Sequence, residues 1–284
     1  MTVLITGASG FIAKHLASFL KQKGCLVDGV SSTGVTSDAY CRIYTCTLGK
    51  ALPLMSDTYD WIIHGAYDHT ASAESNTQAT LLWAESLLRQ GNTRQIFLST
   101  IGVVSGNTSM YARSKADAEK WFKEHQMYIV RPGLVVGEGG LFAKIIKKVR
   151  TFPFLPLIDG GKQKMKLIGI EDLLVFIDTL MIDEQSASKH EYNLFYTSEP
   201  SLSEVLRQLA KFYKRTILFL FIPFGLVYAL VWMIEKLHLN LGISTVNLQG
   251  LKQNDFTMNS DIAYDRTLSE VFQKNLLHQE TTRA

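Results

Sequence analysis

Several residue types and patterns that mark particular protein classes are scarce or missing in this sequence of 284 residues. Its three cysteines, Cys25, Cys41 and Cys46, form no Cys-x-x-Cys pair, which argues against a disulfide framework or a structural zinc site and suits a reducing compartment. Positive charge is not in large excess either, because the chain has 29 Lys and Arg and 26 Asp and Glu. This difference is too small to indicate a nucleic-acid-binding protein. No group of residues has metal-ligand spacing, so we predict no metal site. No basic leader precedes the first apolar residues, and we predict a cytoplasmic protein without a signal peptide.

Apolar residues are plentiful, at 46% of the chain against 19% charged, so the chain can bury a core. Short apolar runs alternate with helical patterns, and the predicted strands are Val3–Ile5, Leu26–Val30, Arg42–Cys46, Trp61–His64, Gln95–Ser99 and Tyr128–Arg131. This alternation predicts an α/β fold built on a Rossmann-type doubly wound parallel sheet with helices on both faces. We assign this domain to residues 1–135, with returning segments near 165–180, and a smaller C-terminal substrate-binding α/β region to residues 136–284.

One charge-free stretch, residues 216–234, is nearly long enough to span a membrane. Pro223 and Gly225 divide it, so we predict a strand at Ile217–Ile222, a turn, and a helix at Phe224–Leu237. That helix is apolar around most of its circumference. We therefore expect self-association, as in a homodimer, or peripheral membrane contact through residues 216–238.

A glycine-rich turn joins the first predicted strand to an amphipathic helix. Gly7 permits the tight turn, Gly10 lets the backbone approach a pyrophosphate, and Ala13 allows close packing of helix on strand. The free N–H groups at the start of the helix point toward the same anion, and Ser9 belongs to this set of binding residues. The motif lies between a strand and a helix, as a dinucleotide site requires, so we predict binding of NAD or NADP.

The end of the second strand does not decide between the two cofactors. Ser31 and Ser32 stand where a carboxylate would favour NAD or an arginine would favour NADP. Arg42 and Lys14 are the cations that could reach the ribose. The choice between NAD and NADP stays open at this point.

A hydroxyl, a phenol and an ammonium group follow in the order that carbonyl chemistry requires. Tyr111 and Lys115 are four residues apart, so both project from one face of the predicted helix. A neighbouring ammonium and an oxidised nicotinamide ring would lower the pKa of a phenol, so Tyr111 could exchange a proton with a carbinol or carbonyl while hydride moves. The hydroxyl of Thr100 would bind the same substrate oxygen.

With these features the chain resembles the extended short-chain dehydrogenase/reductase superfamily, in its NAD-dependent epimerase/dehydratase branch. The resemblance rests on TGASGFIA at 6–13, YDWIIHGAY at 59–67, FLST at 97–100, YARSK at 111–115 and VRPGLVVG at 130–137, and IGIEDLL at 168–174 extends it. It implies an oxidoreductase-type enzyme of carbohydrate biosynthesis that acts on a nucleotide sugar. It further implies that the cofactor contacts Phe11, Ile12, Thr47, Leu48, Gly65, Ala66, Tyr67, Asn76, Tyr111, Lys115, Pro132 and Gly133.

Departures from the family pattern shape the functional hypotheses. Strict counting puts Ile101 at the hydroxyl position, so a one-residue insertion assigns the role to Thr100, with Ser99 as the alternative. The related 4,6-dehydratases carry an Asp-Glu pair directly after the hydroxyl residue, where it serves water elimination. This chain has Ile101-Gly102 at those positions, so a dehydratase is disfavoured. We therefore predict epimerisation of a nucleotide-linked sugar at C4. The alternatives are NADP-dependent reduction of a keto-sugar or another small carbonyl compound, and a non-catalytic dinucleotide-binding subunit of a larger assembly.

Overall fold

The computed structural model describes residues 1–34, 37–53, 58–105, 109–184, 189–228, 258–262 and 264–276. Its strands are β1 Thr2–Thr6, β2 Leu26–Ser31, β3 Arg42–Thr45, β4 Trp61–His64, β5 Gln95–Leu98, β6 Tyr128–Pro132, β7 Leu134–Val136, β8 Phe154–Ile158, β9 Leu167–Gly169, β10 Glu191–Leu194 and β11 Leu218–Ile222. The helices are α1 Phe11–Gln22, α2 Ala73–Arg89, α3 Met110–Glu124, α4 Gly140–Thr151, α5 Ile170–Ile182, α6 Leu202–Phe212 and α7 Leu268–Leu276, and short 3₁₀ turns occupy Ile101–Val103 and Asp159–Gly161.

The first of two compact units consists of Met1–Val104, Met110–Pro132 and Ile170–Leu194. Its seven-stranded parallel sheet has the order β10-β6-β5-β4-β1-β2-β3. The order reverses between β1 and β4, which is the switch point beside which doubly wound sheets bind ligands. The predicted Rossmann-type fold is confirmed, although the last returning segment supplies helix α5 and the edge strand β10 rather than residues near 165–180 alone.

Continuous burial explains why these short apolar runs form strands of a parallel sheet. All four residues of β4 and of β5 are buried, because α1 and α5 pack together and so do α2 and α3. A parallel sheet covered on both faces favours such uninterrupted apolar strands over alternating ones. The carboxyl ends of β1, β4 and β5 lead directly to the sequence motifs, so the sheet positions the candidate site.

The second unit contains Ser105–Ser109, Gly133–Gly169 and the described residues from Phe195 onward. Two parallel pairs, β7–β9 and β8–β11, share a core with α4, α6 and α7. The charge-free stretch begins here as β11, and after Pro223 residues 224–228 are helical. The remainder of the predicted helix, residues 229–237, lies outside the described residues. Within the described ranges, no helix is long and apolar enough to cross a membrane.

A buried histidine in the sheet makes the stability of the first unit dependent on pH. His64 is 2% exposed, and its Nε2 lies 2.7 Å from Oε1 of Gln95. The amide nitrogen of Gln95 donates to the carbonyls of Ala84 and Asn92, so the Gln95 oxygen accepts and His64 Nε2 carries the proton. Burial lowers the pKa of His64 from 6.5 to about 4, with a smaller contribution from the charge of Lys115, against the Gln95 hydrogen bond.

We predict that the unfolding free energy falls as the pH drops from about 6.5 toward 4, because unfolded His64 binds a proton in that window and folded His64 does not. The effect amounts to roughly 3 kcal/mol. Urea titrations at a series of pH values measure it. His64→Leu should lose this part of the slope, whereas the same change at the exposed His15 should leave the slope intact. Equal slopes for wild type and His64→Leu would contradict the assignment.

Candidate active site

The glycine turn after β1 lies against the end of β4. Gly7 has φ +74°, and a Cβ added to it would lie 2.8 Å from both Cα and N of Ala66. The hydroxyl of Thr6 accepts hydrogen bonds from the backbone N–H groups of Gly65 at 3.2 Å and Ala66 at 3.4 Å. Gly7 is therefore required here for two reasons, its left-handed backbone and the close approach of the β4 end.

The turn is also attached to β2. The N–H of Ala8 donates to the Val30 carbonyl, and the Tyr40 hydroxyl donates to the Ala8 carbonyl, both at 2.9 Å. Gly29 leaves room for Ala8, since a Cβ on Gly29 would lie 2.7 Å from the Ala8 methyl group. The sequence motif gives no sign of Tyr40 or Gly29, because their contacts arise only once β2 and the turn are packed together.

The start of α1 suits a pyrophosphate. Gly10 is the N-cap residue and provides no side-chain cap, and no acidic residue lies in the first turn. A Cβ on Gly10 would lie 3.0 Å from the Gly7 carbonyl oxygen, so the turn is compact on its inner side. Ser9 is exposed, while Phe11 and Ile12 are half-buried. A backbone turn without side chains, followed by the positive end of a helix dipole, fits a dinucleotide diphosphate.

The residues expected to contact the adenosine of the cofactor differ in their exposure to solvent. Ser31 is buried at the end of β2 and its hydroxyl accepts from the Thr33 N–H, whereas Ser32 is exposed. After β3, Thr47 is exposed and Leu48 packs against an apolar core cluster.

Arg42 is not at the ribose end of the sheet. It begins β3 and pairs in register with Asp28, three residues before the carboxyl ends of β2 and β3. Its Nε lies 3.1 Å from the Asp28 carboxylate. Of the two candidate cations for an NADP phosphate, Arg42 is therefore eliminated, and Lys14 is an exposed residue of α1.

Asn76 supports the loop after β4 with its side chain. Its Oδ1 accepts from the Asp68 N–H at 2.9 Å, and its Nδ2 donates to the carbonyls of Asp68 at 2.9 Å and Ser72 at 3.0 Å. The side chain is 2% exposed. These bonds make Asn76 the residue that shapes the loop beside Tyr67, and its predicted contact with the cofactor stays a prediction.

Lys115 is buried at the carboxyl end of β5. It is 4% exposed, donates to the Leu98 carbonyl at 2.8 Å and lies 4.5 Å from the ring centre of Phe97. Desolvation lowers the pKa of Lys115 to about 8, and the charge of Glu119 opposes this shift. The ammonium form therefore still predominates at neutral pH.

Tyr111 lies one turn before Lys115, at the open end of the same helix face. It is 38% exposed, and Lys115 Nζ is 5.8 Å from its ring centre. The ring of Tyr67 packs edge-on against it, with centroids 4.8 Å apart. Desolvation and Tyr67 raise the pKa of Tyr111 to about 12, so the phenol is protonated at neutral pH. The structure thus brings Tyr67, Tyr111 and Lys115 together.

The two candidate hydroxyl residues have different environments. Ser99 is buried and its hydroxyl donates to the Glu119 carboxylate at 2.5 Å. Thr100 caps the Ile101–Val103 turn, where its oxygen accepts from the Gly102 N–H at 3.2 Å. A Cβ on Gly102 would lie 3.5 Å from the Thr100 oxygen and 3.7 Å from the Ala112 methyl group. Thr100 therefore lies near the start of α3, and its hydroxyl can still donate one hydrogen bond.

Behind these residues lies a buried ion pair that sequence reasoning did not single out. Arg131 donates to both carboxylate oxygens of Glu119, at 2.8 and 2.6 Å, and also to Glu191. Arg131 and Glu119 are 5% and 2% exposed. Glu119 is four residues beyond Lys115, so the spacing could have placed it on the same helix face.

Between Pro132 and Gly133 the chain passes from the first unit to the second. Pro132 is the buried last residue of β6. A Cβ on Gly133 would lie 2.4 Å from the Lys166 carbonyl oxygen, so packing within the second unit is one reason for glycine at this position. The predicted cofactor contact of both residues stays a prediction. Among the described residues, no group of His, Cys, Asp and Glu could hold a metal ion.

One known protein family matches most of this chain. The model of the NAD dependent epimerase/dehydratase family matches residues 3–194. Curated protein sequences give no match.

Solved structures share the fold at low sequence identity. A UDP-glucose 4-epimerase from Thermotoga maritima with UDP-glucose is 16% identical, with a TM-score of 0.64 over 78% of this chain and 86% of that one. The corresponding enzyme from Bifidobacterium longum with NAD⁺ and UDP is 19% identical, with a TM-score of 0.64 over 78% and 86%. An NAD dependent NDP-hexosamine 5,6-dehydratase involved in tunicamycin biosynthesis is 17% identical, with a TM-score of 0.65 over 96% of both chains.

We predict that Gly10→Asp abolishes dinucleotide binding, because it places a carboxylate and its bulk at the start of α1, where the diphosphate would lie. Isothermal titration with NAD and NADP measures the loss. Gly225→Asp is the matched control, since it adds the same side chain at an exposed glycine of the second unit, where a Cβ meets nothing within 4 Å. Unchanged affinity in folded Gly10→Asp would show that the turn is not the phosphate site.

Proposed function

Because the chain belongs to the NAD dependent epimerase/dehydratase family, we propose that it epimerises a nucleotide-linked sugar at C4 with NAD as cofactor. The observation that supports the proposal is the packing of Tyr67, Tyr111 and Lys115 at the end of β5, the strand that Thr100 follows, together with a turn shaped for a dinucleotide. The 4-epimerases that share the fold were solved with UDP-glucose or with NAD⁺ and UDP. The family match also confirms the predicted NAD(P)-dependent enzyme of the short-chain dehydrogenase type.

NAD rather than NADP is favoured by the second and third strands. Arg42 is bonded to Asp28 at the far end of these strands, and serines follow β2 where an arginine would receive the extra phosphate. Gly7, Gly10, Gly65 and Ala66 would bind the diphosphate side of the cofactor. When bound, the nicotinamide supplies hydride acceptance and hydride return.

Tyr111, Lys115 and Thr100 would have different roles in the transfer of the proton. Tyr111 Oη would take the proton from the sugar hydroxyl as the carbinol becomes a ketone, and would return it after the ketone has turned over. The buried ammonium of Lys115 favours the phenolate that the first step needs. Thr100 would donate its hydroxyl hydrogen to the same substrate oxygen. The two positions after Thr100 are Ile101 and Gly102, neither of which can transfer a proton for water elimination.

The same residues would also serve a second candidate, reduction of a keto-sugar or another small carbonyl compound. In that reaction the protonated Tyr111 would donate its proton to the carbonyl oxygen as hydride arrives from the cofactor. The two reactions differ in stoichiometry. Incubation with UDP-glucose or another UDP-hexose should yield the C4 epimer with no net change in reduced nicotinamide. Steady consumption of reduced nicotinamide with a ketone substrate would instead establish the reductase.

We predict that Lys115→Met lowers the turnover number by about 100-fold and moves the ascending limb of the pH–rate profile to higher pH, because Tyr111 loses the cationic neighbour that favours its phenolate. Lys120→Met is the control on the same helix, since Lys120 is exposed and forms a surface ion pair with Asp117, an interaction of little energetic value. Cofactor titration and circular dichroism establish that both variants fold and bind NAD. A near wild-type rate in Lys115→Met would contradict the role of Lys115. Absence of turnover in the wild type itself, with NAD bound, would instead favour the non-catalytic dinucleotide-binding subunit.

The expected homodimer and the cytoplasmic location stay predictions. Size-exclusion chromatography with light scattering and cell fractionation address them separately from the chemistry.

A further inference from the structure

The two-stranded sheet β8–β11 has an apolar face that no core residue of the described part of its unit covers. Alternate residues of β8, Leu155 and Leu157, are buried in that core. The opposite face presents Phe154, Leu218 and Leu220, which are 52%, 65% and 42% exposed. Phe154 and Leu218 are partners in the parallel register, so these side chains form one continuous surface. We call Phe154, Pro156, Leu218 and Leu220 the β8–β11 face.

Further apolar side chains are exposed near this face along the chain. Phe152, two residues before Phe154, is 48% exposed, and Leu226 in the helical residues 224–228 is 64% exposed. Phe221 is also 62% exposed, but it pairs with Leu157 and so lies on the other side of the sheet. Edge-strand residues of a protein surrounded only by water are usually charged or polar. Exposed apolar patches of this kind mark a surface that binds something apolar.

Positive charge is concentrated at the end of the β8–β11 face where the two strands begin, whereas Asp159 follows β8 at the other end. Residues 140–158 and 205–228 contain eight Lys and Arg and no Asp or Glu: Lys144, Lys147, Lys148, Arg150, Arg207, Lys211, Lys214 and Arg215. Because β8 and β11 are parallel and directly follow α4 and α6, the cations at the ends of these helices lie at one end of the face. Arg150 is 5.3 Å from the ring centre of Tyr213, which joins the two helix ends.

A groove of about 520 Å³ opens beside these cations. It is lined by Lys147, Arg150, Thr151 and Tyr213, with Glu138 as its acidic member, and by Ala143 and Ile146. Two cations and an aromatic hydroxyl suit a phosphate headgroup. Cations above an apolar surface with aromatic residues are the usual composition of a protein face that rests on an anionic bilayer.

We propose that the β8–β11 face binds the surface of an anionic lipid bilayer. Phe154, Leu218 and Leu220 would enter the interface, and the Lys and Arg at the ends of α4 and α6 would contact phosphate headgroups. Charge complementarity favours this occupant over a second copy of the chain, because a two-fold contact through this face would bring two positively charged surfaces together. The proposal is independent of the reaction catalysed, since no residue of the face belongs to the candidate active site.

Vesicle co-sedimentation of the full chain tests the proposal. We expect binding to vesicles of phosphatidylcholine with about a quarter phosphatidylglycerol, weaker binding to phosphatidylcholine alone, and loss of binding in high salt. The double variant Leu218→Gln/Leu220→Gln should lower the partition coefficient by about tenfold or more, and Lys214→Glu/Arg215→Glu should lower it on the anionic vesicles.

The matched control is Leu26→Gln/Ile182→Gln, since these residues of the first unit are 59% and 69% exposed. It should bind vesicles as the wild type does, and thermal melting should show all variants folded. Absence of binding to anionic vesicles, or binding that the Leu218/Leu220 pair leaves unchanged, would overturn the proposal. A dimer that Leu218→Gln/Leu220→Gln converts to a monomer would also overturn it, because a second copy would then cover the face.

Discussion

The bidentate pair between Arg131 and Glu119 fixes helix α3 on the sheet, and the chemistry of the site depends on that position. Tyr111, Lys115 and Glu119 follow one another at intervals of four, so they form one stripe along the helix. Glu119 is bound at the inner end by Arg131 of β6 and by Ser99 at the end of β5. Lys115 is bound in the middle by the Leu98 carbonyl. Tyr111 lies at the outer end and is the member of the stripe that substrate can reach.

Burial of two charges is costly unless each has good partners, and here the partners are complete. Glu119 receives hydrogen bonds from Arg131 and Ser99, while Arg131 also reaches Glu191, which Lys123 approaches to 3.0 Å. The same carboxylate moderates the desolvation of Lys115. One ion pair therefore both anchors the helix and keeps an ammonium group beside Tyr111. The dinucleotide turn is held separately, by the Thr6 hydroxyl that accepts from the Ala66 N–H and by the close approach of Gly7 to Ala66.

The sequence predicts well those features that are local in the chain. The six predicted strands of the first unit lie within one residue of those observed, because buried parallel strands read as continuous apolar runs. The glycine turn and the Tyr111–Lys115 spacing are local too. Contacts that form only when the elements pack were not predictable: register places Arg42 at the wrong end of β3 for the ribose, the Ser99 hydroxyl donates to Glu119 of α3, and the Asn76 amide of α2 is occupied by the loop after β4. The exposed face of β8–β11 was not predicted for the same reason, since it depends on pairing between segments about 60 residues apart.

A double-mutant cycle on the free energy of unfolding tests most directly whether Glu119 and Arg131 act as one unit. Glu119→Gln and Arg131→Met should each cost roughly 3–5 kcal/mol, because each leaves the other charge buried without its partner. The double variant should cost clearly less than the sum of the two, since neither charge is then left alone. Additive costs would contradict the account, and would mean that α3 is positioned by packing and not by this pair.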